Sequence, residues 1–158
     1  MLIIGIDPGS RFCGYGLIEC QGKRITAAGC DVIPIREKLP LQQRLLVLYQ
    51  EMSAILDEHK PEQAVVETIF YHKHIQAIFA LGHARGIILL TLVQRDIPIY
   101  EYSPREVKKA VVGNGNATKQ QVRYMIGKLL NLDTVKHRDD AADALAVAMC
   151  HFHRMRFL

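Results

Sequence analysis

The sequence lacks the features that mark disulfide-bonded, zinc-binding and membrane-spanning proteins. Its four cysteines form no CxxC pair, which argues against a zinc knuckle or a redox motif and predicts reduced, buried thiols. The longest strongly apolar run, Gly86 to Val93, is far too short to cross a bilayer. No basic region precedes an apolar one at the N-terminus. These absences predict a cytoplasmic protein with no membrane partner.

The sequence also contains no internal repeat, low-complexity segment or domain linker. Of its 158 residues, 49% are hydrophobic and 23% are charged, which is typical of a globular protein. A chain of this length can bury most of its apolar surface without disulfides. We therefore expect one domain, residues 1–158.

Positive charge is concentrated in the last third of the chain. Residues 1–100 contain 10 Lys and Arg and 10 Asp and Glu, whereas residues 101–158 contain 10 and 6. The whole net charge of +4 therefore lies in the part that also contains the densest group of acids. Basic residues around a carboxylate cluster indicate a polyanionic ligand whose phosphates meet both the bases and a metal ion.

The spacing of apolar residues predicts an α/β fold. Strands are predicted at Leu2 to Asp7, Tyr15 to Cys20, Arg24 to Ile35, Gln63 to Glu67 and Ile97 to Tyr102. Helices are predicted from Pro40 to Leu56, Lys73 to Arg95, Ser103 to before Gly113, Thr118 to about Leu130 and Asp139 to about His153. Two helix starts have capping boxes, Ser103 with Glu106 and Thr118 with Gln121. This order predicts a five-stranded mixed sheet flanked by helices on both faces.

The second predicted helix is apolar nearly all round from Ile87 to Val93. A helix that is apolar on every side must be covered on more than one side. The sheet can cover one side. A second subunit or the protein's own core can cover the other, and the sequence favours neither.

The segment HRDDAADALA, His137 to Ala146, places three acids at the start of the last helix. Asp139 is expected to be the N-cap, although a helix that begins one residue earlier or later would change its role. Asp140 and Asp143 are three residues apart and share a helix face, so their carboxylates repel each other unless a cation or proton lies between them. The pair therefore requires a partner.

Two further acids, Asp7 and Glu67, end apolar strands. If these strands are neighbours and parallel, both carboxylates emerge at the edge of the sheet where α/β folds place their sites. Four converging carboxylates need cations, and their hard oxygens select Mg²⁺ or Mn²⁺ over zinc. Two ions about 4 Å apart can activate a water against a phosphodiester and stabilise the leaving 3′ oxygen.

Five segments together resemble the RuvC-type Holliday junction resolvases over essentially the whole chain. They are GIDPGSRFCGYG, VVET followed by Phe70, LGHARG, VKKAVVGNGNATKQQV and DAADALAVA. The resemblance implies a ribonuclease H-like fold and a homodimer that cuts four-way DNA junctions by paired symmetric nicks in the presence of Mg²⁺. It also implies a role in DNA recombination and repair, and the RuvA and RuvB branch-migration proteins as possible partners.

Matching the motifs position by position assigns roles to individual residues. The family's catalytic, metal-binding acids match Asp7, Glu67, Asp140 and Asp143. Lys108 and Lys119 match positions near the scissile phosphate and the DNA backbone, and Phe70 matches an aromatic residue at the junction centre. Further candidate phosphate contacts are Arg105, Arg123, Arg138, Arg154 and Arg156, which the sequence does not rank.

The sequence departs from the family pattern at Tyr71 to His74 and at His83, where glutamine is more familiar. These departures concern contacts to DNA and the cleavage sequence, not the acids. Alternative functions are cleavage of RNA–DNA hybrids or other branched DNA, nucleotide binding through the IDPGS turn, and junction binding without catalysis. Nucleotide binding would require a second phosphate loop and an adenosine pocket, for which the sequence gives no sign.

Overall fold

The computed structural model of the protein describes residues 1–9, 11–35, 38–68, 75–132 and 138–155. Its strands are β1 (Leu2–Asp7), β2 (Phe12–Gln21), β3 (Arg24–Pro34), β4 (Gln63–Glu67) and β5 (Ile99–Tyr102). Its helices are α1 (Leu41–His59), α2 (Ile75–Val93), α3 (Pro104–Val112), α4 (Lys119–Leu130) and α5 (Asp139–Met155). All ten predicted elements are present in the predicted order. The main differences are that β2 begins three residues earlier than expected and β5 two residues later.

The five strands form one mixed sheet in the order β3-β2-β1-β4-β5. Strands β1, β2 and β3 are antiparallel neighbours, whereas β4 is parallel to both β1 and β5. Strands β1 and β4 are buried over their central residues, as expected for parallel strands covered on both faces. The parallel pairing places the carboxyl ends of β1 and β4 side by side.

Helices cover both faces of the sheet and create two cores. Alternate residues of β1 point to opposite faces, so Ile3 joins a core with α3, α4 and α5, while Ile4 and Ile6 join a core with α1 and α2. The two capping boxes form as predicted at the starts of α3 and α4. The expected α/β architecture, a five-stranded mixed sheet with helices on both faces, is confirmed.

Helix α5 lies directly on the backbone of β1 and β2, because the sheet has glycines beneath it. A Cβ atom added at Gly5 would overlap the carbonyl oxygen of Ala144, and one added at Gly14 would overlap that of Asp140. At Gly16 the added atom would lie 2.7 Å from Cγ of Leu145. The three glycines therefore set how close the helix comes to the sheet.

The C-terminal half of α5 is tied to the sheet by a buried histidine. The Tyr102 hydroxyl donates to Nδ1 of His151 at 2.8 Å, and Nε2–H of His151 donates to Oε1 of Gln63 at 3.0 Å. These partners fix the tautomer, and burial lowers the pKa of His151. The imidazole thus joins α5 to β4 and β5 through neutral hydrogen bonds.

Helix α2 is only partly covered. It buries Ala84, Ile88, Thr91 and Leu92, yet Phe79 is 65% exposed and Val93 is 61% exposed. With a mean hydropathy of 1.6, this helix has the length and composition of a membrane span, a property that core helices of soluble proteins share. The expectation that it is covered on more than one side is therefore not met by this chain alone.

The glycine contacts predict that Gly14→Ala displaces the start of α5. The added methyl overlaps backbone, which cannot move aside as a flexible side chain can, so we expect a loss of about 1–3 kcal/mol in the free energy of unfolding. We also expect a large loss of the nuclease activity that the family resemblance implies. Gly29→Ala is the matched control, because its methyl would make only one ordinary contact, 3.9 Å from Cδ1 of Leu17. Denaturant unfolding and a nuclease assay on both variants test this, and equal behaviour would contradict it.

Candidate active site

Asp7 and Glu67 occupy adjacent positions at the carboxyl ends of two parallel strands. The register pairs Ile6 with Val66, so the next residues along the chain, Asp7 and Glu67, are neighbours. Strand alternation places Asp7 on the same face as Gly5, towards α5. The conditional expectation that the two strands lie side by side and parallel is confirmed.

Asp140 and Asp143 lie in the first turns of α5, above this strand edge. Between Ala141 and Phe152 every residue is buried except Asp143, which is half-buried. The negative charges of Asp143 and Asp140 both act on Asp7, and that of Asp143 also acts on Glu67. The structure therefore brings together the four acids that the sequence had selected.

Lys119 is the cation that the repelling acids required. Its Nζ lies 2.8 Å from Oδ2 of Asp143, although the two residues are 24 positions apart in the chain. The Thr118–Gln121 capping box begins α4 at Lys119 and so fixes where this side chain starts. The hydrogen bond to Asp143, together with the charges of Asp7 and Asp140, raises the pKa of Lys119, so the ammonium stays protonated among the acids.

Asp139 does not have the expected role of N-cap. The carbonyl oxygen of Arg138 accepts the first helical hydrogen bonds, from the amides of Ala141 and Ala142 at 3.1 and 3.2 Å, so Arg138 and not Asp139 occupies the N-cap position. Asp139 is thus the first helical residue, and its carboxylate forms an ion pair with Arg123 of α4. That pair holds the start of α5 against α4.

The pKa values of Asp7 and Glu67, the two acids at the strand ends, are strongly raised. Burial and the negative charge of Asp143 raise the pKa of Asp7 to about 6, partly offset by Lys119. Burial and the charge of Asp7 raise the pKa of Glu67 to about 8, and the two carboxyl groups are hydrogen-bonded to each other. A hydrogen bond between two carboxyl groups requires a proton, so at neutral pH Glu67 carries it and donates to Asp7.

The donor set fits a hard divalent cation. All four side chains offer carboxylate oxygens. The pKa values of Asp7 and Glu67 are raised first by burial and then by the negative charge of neighbouring acids, and a bound cation would offset both effects. Among the residues that the structure describes, no three His, Cys, Asp or Glu side chains are arranged so that they could hold a metal ion together. In this arrangement a proton shared by Glu67 and Asp7 and the ammonium of Lys119 reduce the repulsion among the acids.

The other residues selected from the sequence are dispersed. Lys108 is half-buried on α3 and forms no ion pair with any described carboxylate. Arg123 is paired with Asp139, and Arg154 is paired with Glu106 at 2.9 Å. Phe70 and Arg156 lie outside the described residues.

Two structural features of the site were not identified from the sequence. One is the close approach of α5 at Gly14, which pairs with Asp7 in the sheet. Glycines at alternate positions of a strand, as at Gly14 and Gly16, are a usable signal for such an approach. The other is the stacking of Arg138 on Phe12, for which residues so far apart in the chain give no signal.

Comparison with known proteins extends these observations. The family model of the crossover junction endodeoxyribonuclease RuvC matches residues 3–151. A relative of that name from Syntrophomonas wolfei is 45% identical, with 99% of this chain and 91% of the relative aligned. One from Desulfitobacterium hafniense is 42% identical, with 100% of this chain and 96% of the relative aligned.

Solved structures give the same result. The Thermus thermophilus RuvC structure superposes with a TM-score of 0.90 at 29% identity, covering 99% of this chain and 96% of that one. The same protein in complex with Holliday junction substrate gives 0.92 at 28% identity, with 99% and 96% covered. These matches confirm the ribonuclease H-like fold. With family model, relatives and structures in agreement, the chain belongs to the crossover junction endodeoxyribonuclease RuvC family.

Proposed function

We propose that this chain resolves four-way DNA junctions at a centre formed by Asp7, Glu67, Asp140 and Asp143. The convergence of these four carboxylates where β1 and β4 end beneath α5 carries the proposal. Family membership supports it, as does the solved complex of a RuvC with its Holliday junction substrate. In this proposal residues 1–158 act as a single nuclease domain in recombination and repair.

The RuvC family consists of metal-dependent nucleases. For this chain we propose two Mg²⁺ ions per subunit, held by the four acids, with Mn²⁺ as a possible substitute. Such ions supply an activated water and stabilise the leaving 3′ oxygen, so the products carry 5′-phosphate and 3′-hydroxyl ends. Glu67 must give up its proton before it can act as a ligand, and Lys119 must release Asp143.

The basic residues around the acids have the chemistry to hold DNA. We propose that Lys119, once it leaves Asp143, stabilises charge at the scissile phosphate, and that Lys108 and Arg123 contact the backbone. Phe70 is proposed to stack on an unpaired base at the junction centre. Phosphate contacts give affinity that depends on salt, while the shape and symmetry of the junction give specificity.

The uncovered face of α2 supports a homodimer. Its exposed stripe consists of Ile75, Phe79, Gly82, Gly86, Leu90 and Val93. These residues recur every three or four positions and so share one helix face. A Cβ atom at Gly82 or Gly86 would meet nothing, so a helix from a second copy can approach closely there. Two-fold symmetry then provides two centres for two nicks.

Two further assignments go beyond the site: the cellular location rests on the sequence features described above, and the partner proteins rest on the resemblance alone. The proposed cellular site is the cytoplasm, and the RuvA and RuvB branch-migration proteins are proposed partners. The structure identifies no docking surface for them within its described residues. Neither assignment is needed for the chemistry above.

The central test is cleavage of an end-labelled four-way junction in Mg²⁺, with linear duplex and an RNA–DNA hybrid beside it. We expect paired nicks in the junction alone, and their loss in EDTA. Asp7→Asn, Glu67→Gln and Asp143→Asn should each lower the cleavage rate by at least about 10²-fold while junction binding persists, because each removes a carboxylate ligand. Glu51→Gln, at an exposed acid of α1, is the control.

Three results would contradict parts of this proposal. If one of the site variants cuts at a normal rate, the acid that it replaces is not part of the catalytic centre. A hybrid that is cut faster than the junction would instead indicate a nuclease with another substrate. Binding of the junction without any cutting by the wild-type protein would indicate a non-catalytic junction-binding protein.

The shared proton predicts how pH affects the metal-free protein. The folded state keeps the Glu67 proton up to about pH 8, whereas the unfolded chain releases it at the ordinary glutamate pKa of 4.5. The contribution of Glu67 to stability is therefore fully present below pH 4.5 and is lost as pH rises to 8, because between these values the folded state binds more protons at this group. We expect a loss on the order of 2–4 kcal/mol from this group.

Denaturant unfolding in EDTA at pH 5, 6.5 and 8 measures this loss. The free energy of unfolding of Glu67→Gln should fall less steeply with pH than that of wild type, and this variant should be more stable than wild type at pH 8. Glu51→Gln should follow wild type. Parallel pH profiles for wild type and Glu67→Gln would show that Glu67 does not hold the proton.

The dimer is tested by placing a charge on the exposed stripe. Leu90, which is 51% exposed, should tolerate glutamate in the monomer but not in a helix pair, because a desolvated charge without a partner is unfavourable. We expect Leu90→Glu to have a monomer mass by light scattering at micromolar concentration, where wild type has a dimer mass. Leu129→Glu, at a residue of α4 that is 39% exposed, should remain dimeric. A monomeric wild type would disprove the proposed pairing.

A further inference from the structure

Arg138 is held over an aromatic ring beside the acids. Its guanidinium carbon lies 3.7 Å from the centroid of the Phe12 ring, although the two residues lie at opposite ends of the chain. Arg138 is exposed and Phe12 is half-buried. At this distance the planar cation and the ring are in direct contact, which restricts an otherwise flexible side chain.

The position of Phe12 relates this arginine to the acids. Phe12 and Gly14 lie two residues apart in β2 and so share a face. Gly14 pairs with Asp7 in the sheet and lies beneath the carbonyl of Asp140. Arg138 immediately precedes α5, two residues before Asp140. The stacked arginine therefore stands at the border of the proposed catalytic centre.

The structure distinguishes Arg138 from the other candidate arginines. Arg123 is paired with Asp139, and Arg154 with Glu106. Arg105 packs against Gly115, where an added Cβ would lie 2.7 Å from Cγ of Arg105. Arg138 has no carboxylate partner in the part of the chain that the structure describes. Its charge is held in place and is not neutralised by any acid that the structure describes.

We propose that Arg138, positioned by Phe12, binds a DNA phosphate next to the one that is cut. Stacking uses the face of the guanidinium and leaves its N–H donors, which lie in the plane, free for two phosphate oxygens. The contact holds the strand in register over the acids, so Arg138 is a positioning residue. The proposal rests on the proposed function for the location of the cut.

The test compares junction binding in EDTA over a series of salt concentrations for wild type, Arg138→Gln, Arg138→Lys, Phe12→Leu and Arg24→Gln. Arg24→Gln is the matched control, because it removes the same charge at the far end of β2 and β3, where Gln21 pairs with Arg24. That end is about 30 Å along the strands from Phe12. Because no metal is present, the binding result does not depend on whether the four acids catalyse cleavage.

We expect Arg138→Gln to weaken binding by about 5- to 30-fold and to reduce the slope of log K against log salt by about 1. Arg138→Lys should keep the slope and lose part of the affinity, because it retains the charge but not the planar stack. Phe12→Leu should likewise lose affinity without a change in slope. In Mg²⁺, Arg138→Gln should raise KM for the junction more than it lowers kcat.

Two outcomes would overturn the proposal. If Arg138→Gln and Arg24→Gln have the same affinity and salt slope, Arg138 makes no phosphate contact. If the loss is confined to junctions of one sequence, Arg138 reads a base. Cleavage by Asp7→Asn would count against the proposed centre but not against the phosphate contact, so the two failures are distinguishable.

Discussion

The contact between α5 and the glycines of β1 and β2 is the constraint on which the site depends. Asp140 and Asp143 can act with Asp7 and Glu67 only because no side chain separates the start of α5 from the sheet at Gly14. Alanines at Ala141, Ala144 and Ala148 make the helix surface correspondingly flat. Small residues on both surfaces therefore bring carboxylates from distant parts of the chain to one place.

This closeness has an electrostatic cost that the protein offsets in two ways. Lys119 neutralises Asp143 from a different helix, and a proton held by Glu67 reduces the repulsion with Asp7. In the proposed function both are removable: the lysine turns towards a phosphate, and the proton leaves when a cation binds. The repulsion among the four acids therefore increases the affinity of this site for positive charge.

Much of the fold was predictable because it follows from local patterns. The strands β1 and β4 were located to the residue, since each is an apolar run that ends in an acid, and the capping boxes gave the starts of α3 and α4. The prediction that Asp139 is the N-cap was wrong because the carbonyl of Arg138 accepts the first helical hydrogen bonds. The Asp139 carboxylate instead binds Arg123, which lies sixteen residues earlier in the chain. The partnerships of Lys119 with Asp143 and of Arg138 with Phe12 likewise depend on tertiary packing, which no local pattern encodes.

The two ends of α5 are attached by interactions of different kinds. Its first turns combine packing on the glycines of the sheet with ion pairs at the surface, whereas its last turns combine packing with the buried hydrogen bonds of His151. Dissolved ions screen the former and leave the latter almost untouched. Ionic strength therefore changes the attachment of the acidic end of α5 more than that of its histidine-bonded end.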